Sequence, residues 1–190
     1  YVGERDFELP ELKLLVDSVQ SSRFITRKKT ETLIKKIESL ASAPQARLLS
    51  RQVYVVNRIK SMNESIYYNV DEIHSGIAGD RRIKFRYFEY NAAREKVYRH
   101  GGAMYEASPW ALTWDDENYY MIAYDHGSGA VRHYRVDKMS DISVDEKPRE
   151  GGELFTAEDL ALYSRKVFGM FSGEERTVRL RVENELAGVI

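Results

Sequence analysis

The hydrophobic period of this chain changes once, near residue 80, and that change limits the folds open to it. Before it, apolar residues recur at steps of three and four, which mark one face of a helix. Leu12, Leu15, Val16 and Val19 form one such set behind Leu9-Pro10-Glu11. Pro10 suits a first helical turn, where its missing N–H costs nothing. Leu33, Ile34, Ile37 and Leu40 form a second set, with Thr26 placed to cap the helix and Pro44 expected after its end. Ile66, Val70, Ile73 and Ile77 form a third, running from Ser65 to about Ala78. After residue 80 the pattern becomes short runs rich in Tyr, Val, Ile and Phe separated by turn residues. The runs are Ile83–Tyr90, Lys96–His100, Met104–Trp114, Asn118–Asp125, Val131–Asp137 and Ile142–Val144. The sequence therefore predicts an α+β chain of three parts. Residues 1–80 are a helical region. Residues 81–147 are an antiparallel meander that protects its edges by curling into a small barrel. Residues 148–190 are a link and the start of a further α+β extension, with Thr156 opening a helix and Arg176–Val182 a strand.

Composition narrows the chemistry. The 190 residues contain no cysteine, which removes disulfides, thiol catalysis and Cys-ligated zinc and fits a reducing cytoplasm. No window reaches the roughly 18 apolar residues of a membrane span, and Tyr1-Val2-Gly3-Glu4-Arg5-Asp6 lacks the basic, apolar pattern of a signal peptide. The four histidines (His74, His100, His126, His133) show no HExxH spacing, so no metal site is expected. His126 lies in a glycine-containing turn and is expected to be exposed. Neither GxSxG, GxxxxGK[ST] nor GxGxxG occurs, and no catalytic set or cofactor site is assigned. Gly127-Ser128-Gly129 is read as a hairpin turn and Asp115-Asp116-Glu117 as a solvated one. The net charge of −1 gives no global pull on nucleic acid, yet residues 81–100 hold seven Lys/Arg against two Glu. Such a zone attracts an anionic ligand locally.

Three ordered segments carry a family likeness: Tyr105-Glu106-Ala107-Ser108-Pro109-Trp110-Ala111-Leu112, then Asn118-Tyr119-Tyr120-Met121-Ile122-Ala123-Tyr124, then Arg132-His133-Tyr134-Arg135-Val136-Asp137-Lys138-Met139. Together they resemble a WYL domain. The triplet that names the family falls on Tyr119-Tyr120-Met121, and its usual ending on Tyr134 to Met139. Tyr119 stands for Trp, Met121 for Leu, Lys138 for Arg and Met139 for Ile; Lys138 keeps the charge but loses the planar fork of Arg. The resemblance implies an Sm-like, SH3-like barrel in a bacterial transcriptional regulator, behind a helical linker. It also implies a homodimer and a winged helix before Tyr1, so that operator DNA is met only through a domain absent from this chain.

A small barrel binds nucleotides or single strands with a basic groove and aromatic platforms. The candidates are Arg86, Arg132, Arg135 and Lys138, with Tyr87, Tyr105, Trp114, Tyr119 and Tyr134 as aromatics. Strand alternation puts Arg135 beside His133, so Arg135 is assigned the main anion contact, with His133 next to it and Ser108 as a donor from the neighbouring strand. The competing role for Arg135 is a structural ion pair with Asp137. The expected function is effector sensing without catalysis. The alternatives are a ligand-free dimerisation module, pairing through Leu12–Val19 and Leu33–Leu40, and direct nucleic-acid binding as the end function.

Overall fold

The structure, a computed structural model, describes residues 7–49, 60–155, 179 and 181. Four helices precede six strands: α1 Leu9–Ser21, α2 Arg27–Glu38, α3 Ala43–Leu49, α4 Ile66–Ala78, β1 Arg81–Tyr90, β2 Lys96–Tyr98, β3 Tyr105–Asp115, β4 Asn118–Asp125, β5 Ala130–Arg135 and β6 Met139–Pro148. The fold is α+β, as the change of period predicts. Thr26 caps α2, its Oγ1 accepting from the Lys29 N–H at 3.1 Å. Pro44 is a correction: it does not follow a helix end but lies in the first turn of α3, where an absent N–H is tolerated. The expected helix at Thr156 and strand at Arg176–Val182 lie outside the described residues.

Helices α1 to α3 share a small core of Leu12, Val16 and Leu49, with Leu9, Ile34, Ile37 and Ala41 packed on it. The larger core joins α4 to the concave side of the sheet. It contains Ile66, Ile73, Ile83, Phe85, Met121, Tyr134, Val136 and Met139, all buried. Gly76 lets α4 approach β1 closely, since a Cβ there would sit 2.8 Å from Ile83 Cγ2.

The strands pair antiparallel. β1 is the hub: its first half pairs with β3, its end with β2 and its other edge with β6, while β4 joins β3 and β5 joins β4. Bulges in the β1–β6 and β3–β4 ladders bend the sheet. It curls into a half-barrel, and no ladder joins β5 to β6 among the described residues. A 3-10 turn at Val136–Lys138 connects those two strands instead.

The link after β6 is not a loose tether at its start. Arg149 donates to Asp80 Oδ1 (2.9 Å) and the Pro109 carbonyl (2.9 Å), and its guanidinium lies 4.1 Å over the Trp110 ring. Trp110 Nε1 donates to the Glu150 carbonyl (3.0 Å), and Phe155 stacks on Trp110. Residues 148–155 thus form a strap across β3 and β4.

Candidate functional site

An open cavity of about 1000 Å³ lies at the edge of the half-barrel where β5 has no further strand partner among the described residues. Because the opening is along a strand edge, side chains from both faces of β5 border it: Val131 and His133 from one, Arg132 and Tyr134 from the other. Its floor is aromatic. Tyr87, Tyr105 and Tyr134 meet edge to face, with ring centroids 5.5 to 6.2 Å apart, and Phe85 stacks behind Tyr105. Burial pushes the Tyr87 hydroxyl up to about 12. Tyr134 is raised further in the same direction, first by burial and then by the charge of Asp125 and a hydrogen bond to it. Both phenols are neutral at physiological pH.

The rim is cationic. Arg99 and His100 come from the turn after β2, where His100, Gly101 and Gly102 all take positive φ (50°, 63° and 85°) and fold the backbone back tightly. Arg99 lies 5.6 Å over the Tyr87 ring and pairs with Glu89. Across the opening, Arg132 is exposed and donates to the Ser128 hydroxyl at 3.3 Å, with no ion pair among the described residues. The nearby acids have other duties. Asp125 accepts from Ser128 N–H (3.0 Å) and Oγ (2.7 Å), closing the β4–β5 turn; Glu106 pairs with Arg82 (2.9 Å) and Lys147 (3.4 Å). The arrangement suits an anion carrying a flat or apolar group: charge at the rim, rings below.

The structure separates the sequence candidates. Arg132, His133 and Tyr105 line the cavity, as do Tyr87 and Tyr134. Arg135 does not. Its Nε and Nη2 hold Asp137 in a bidentate pair (3.0 Å each), and Nη2 also donates to Asn118 Oδ1 at 2.9 Å. That is the competing role named for it, and the rim cation of β5 is Arg132. Ser108 is fully buried; its Oγ meets His126 Nε2 (2.9 Å) and accepts from the Glu150 N–H (2.9 Å), so it anchors the strap. Trp114 and Tyr119 grip Phe24 from the α1–α2 loop, at 5.7 and 4.7 Å. Arg86 pairs with Asp141 at 3.3 Å, and Lys138 lies in the 3-10 turn away from the cavity lining. His126 corrects the expectation of exposure: it is largely buried between Ser108 and Glu150. Burial and then the Arg82 guanidinium hold its ring below the ordinary histidine value, so it is neutral at pH 7. Arg99 and His100 were not singled out. Their signal lay in the basic zone ending at a Gly-Gly pair, but only the fold brings that turn opposite β5.

The family model for the WYL domain matches residues 68–144, which run from α4 to the middle of β6. This part of the chain is similar to a WYL domain. The match takes in the whole cavity lining, from Tyr87 to Tyr134. No curated protein matches the sequence. Among solved structures, proteasome accessory factor B/C (PafBC) of Arthrobacter aurescens is similar, with 18% identity and a TM-score of 0.39 over 78% of this chain and 22% of that one. The chain therefore spans less than a quarter of that protein's length. No described helix is long and apolar enough to cross a membrane.

Proposed function

We propose that this chain is the effector-sensing part of a transcriptional regulator, and that its WYL domain takes up a nucleotide or single-stranded nucleic acid at the β5 edge without catalysing a reaction. The observation that carries this reading is the cavity itself, in which the guanidinium of Arg132, without an ion pair among the described residues, and that of Arg99, paired with Glu89, border a floor of three tyrosines. Phosphate is drawn by the cations and released counterions make the binding salt-dependent, while a base stacks on a ring. The effector acts by favouring one arrangement of the domain over another, since a ligand bound equally by both shifts nothing. The change is passed to a DNA-reading domain outside this chain. The regulator pairs with a second copy through its helical module, where Leu14, Leu40 and Leu48 are exposed; a monomer in sedimentation at tens of micromolar would remove that element.

The test is fluorescence anisotropy with short labelled single-stranded DNA and RNA at two salt concentrations. Arg132→Ala is expected to weaken binding at least tenfold and to lower the salt slope by about one. Arg135→Ala, outside the cavity, is expected to keep that slope. Equal losses in both variants, or no binding by the parent chain, would overturn the reading.

A further inference from the structure

Four sequence candidates outside the cavity, Arg135, Lys138, Trp114 and Tyr119, bear on one turn and one loop. Strand β5 carries Arg132 and Tyr134 on the cavity and runs directly into the 3-10 turn Val136–Lys138. Two buried asparagines hold that turn by its carbonyls. Asn63 Nδ2 donates to the carbonyls of Asp137 (3.0 Å) and Met139 (3.1 Å); Asn69 Nδ2 donates to those of Met139 (2.8 Å) and Val136 (3.4 Å). Buried carbonyls need such partners, so any shift of the turn pulls on both amides. The segment before Asn63 is in turn bonded to the α1–α2 loop: Ser61 N–H donates to the Arg23 carbonyl (2.9 Å) and Lys60 Nζ to that of Ser22 (2.7 Å).

A second route leaves the same turn. Asp137 holds Arg135, which holds Asn118 beside the turn of the β3–β4 hairpin. Next to Asn118 is Tyr119, which pairs across the hairpin with Trp114, and these two rings grip Phe24. Both routes thus end on residues 22–24, the loop from which α1 and α2 diverge. Helices α1 to α3 have their own core, so this loop is a point at which their orientation is set as a unit.

We infer that the turn at Val136–Lys138 is a lever between the cavity and the helical module, with Asn63 and the Arg135–Asn118 pair as its two arms and Phe24 as the seat it acts on. This rests on the sensing reading of the cavity. A ligand that draws Arg132 toward itself moves β5 along its length, and the turn carries that displacement to residues 22–24 through groups that are already bonded, without a change of fold. Contact alone does not establish coupling; the lever is tested by breaking its arms.

Hydrogen exchange on the whole chain reads each part separately. With saturating single-stranded oligothymidylate, exchange is expected to slow in residues 130–139 and to change at least threefold in residues 22–26. In Asn63→Ala/Asn118→Ala, oligothymidylate still binds and still protects residues 130–139, but the response at 22–26 is lost. A response that persists in the double variant overturns the lever. Arg135→Ala gives an arm that needs no ligand: exchange at Ser61 and residues 22–26 is expected to rise at least threefold. If the oligothymidylate fails to bind, the sensing reading loses its support, while Arg135→Ala alone decides the lever. Unchanged exchange at 22–26 in that variant refutes it. Should the double variant unfold, Asn118→Ala alone keeps the test, since it cuts one arm at a half-exposed site and is expected to halve the response.

Discussion

Replacing Gly151 by alanine tests whether the strap over β3 and β4 is a fixed part of the domain. Gly151 is buried and sits at φ 79°, ψ 16°, in the left-handed region. An alanine there costs about 1 kcal/mol from backbone strain alone. Its Cβ would also lie 2.6 Å from Tyr124 Cγ and 2.8 Å from Tyr124 Cβ. Ordinary carbon contacts are about 3.5–4.0 Å, so the overlap approaches 1 Å. Tyr124 Cβ is fixed to the backbone of β4 and cannot swing away, so the strap must lift. Lifting breaks the Glu150 N–H bond to Ser108 and the Trp110 bond to the Glu150 carbonyl. At about 1 kcal/mol each these add to the strain, giving an expected destabilisation of about 2–4 kcal/mol. The ceiling is set by what the strap itself contributes, because a detached strap relieves the clash. Urea unfolding gives the stability change, and tryptophan emission should shift to the red as Trp110 loses the cover of Arg149 and Phe155. A loss below about 1 kcal/mol with unaltered emission would show that the strap does not bear on Tyr124 as described.

Alkaline pH should destabilise the chain in a window set by Tyr87. Its folded value of about 12 lies above its ordinary 10.0. The stabilisation from keeping it neutral is therefore complete below pH 10 and is lost as pH rises from 10 through 12. That gap corresponds to about 2.7 kcal/mol, and Tyr134 acts in the same direction. Urea midpoints from pH 8 to 11.5 should fall less steeply in Tyr87→Phe than in the parent, and identical slopes would refute the assignment. Thr26→Ala removes the α2 cap and should cost about 1 kcal/mol, read from the same unfolding curves; no loss would mean that the cap bond is not made in solution.

Local chemistry was legible in the sequence because it acts over a few residues. The change of period gave α1, α2, α4 and the six strands, and Thr26 gave a helix start. The short α3 was missed, because Pro44 reads equally well as a stop and as a first-turn residue. Alternation along β5 separates Arg132 and Tyr134 from His133 and Arg135, but it could not say which face met a cavity. That depended on β5 having one partner strand among the described residues, which opens its edge so that both faces border the same space. The partners of Arg135 were likewise out of reach: Asp137 is two residues away and was foreseen as a rival, whereas Asn118 arrives through the β4–β5 ladder. Asn63, Asn69 and Phe24 carried no signal at all, since an asparagine's value here lies in carbonyls more than sixty residues distant. Periodicity, caps and turns are properties of neighbours in the chain, and the amino-acid sequence decides them by itself. Which cation meets the cavity, which hydroxyl is buried and which loop a turn can pull on are properties of neighbours in space, and only the curled sheet and the strap across it decide those.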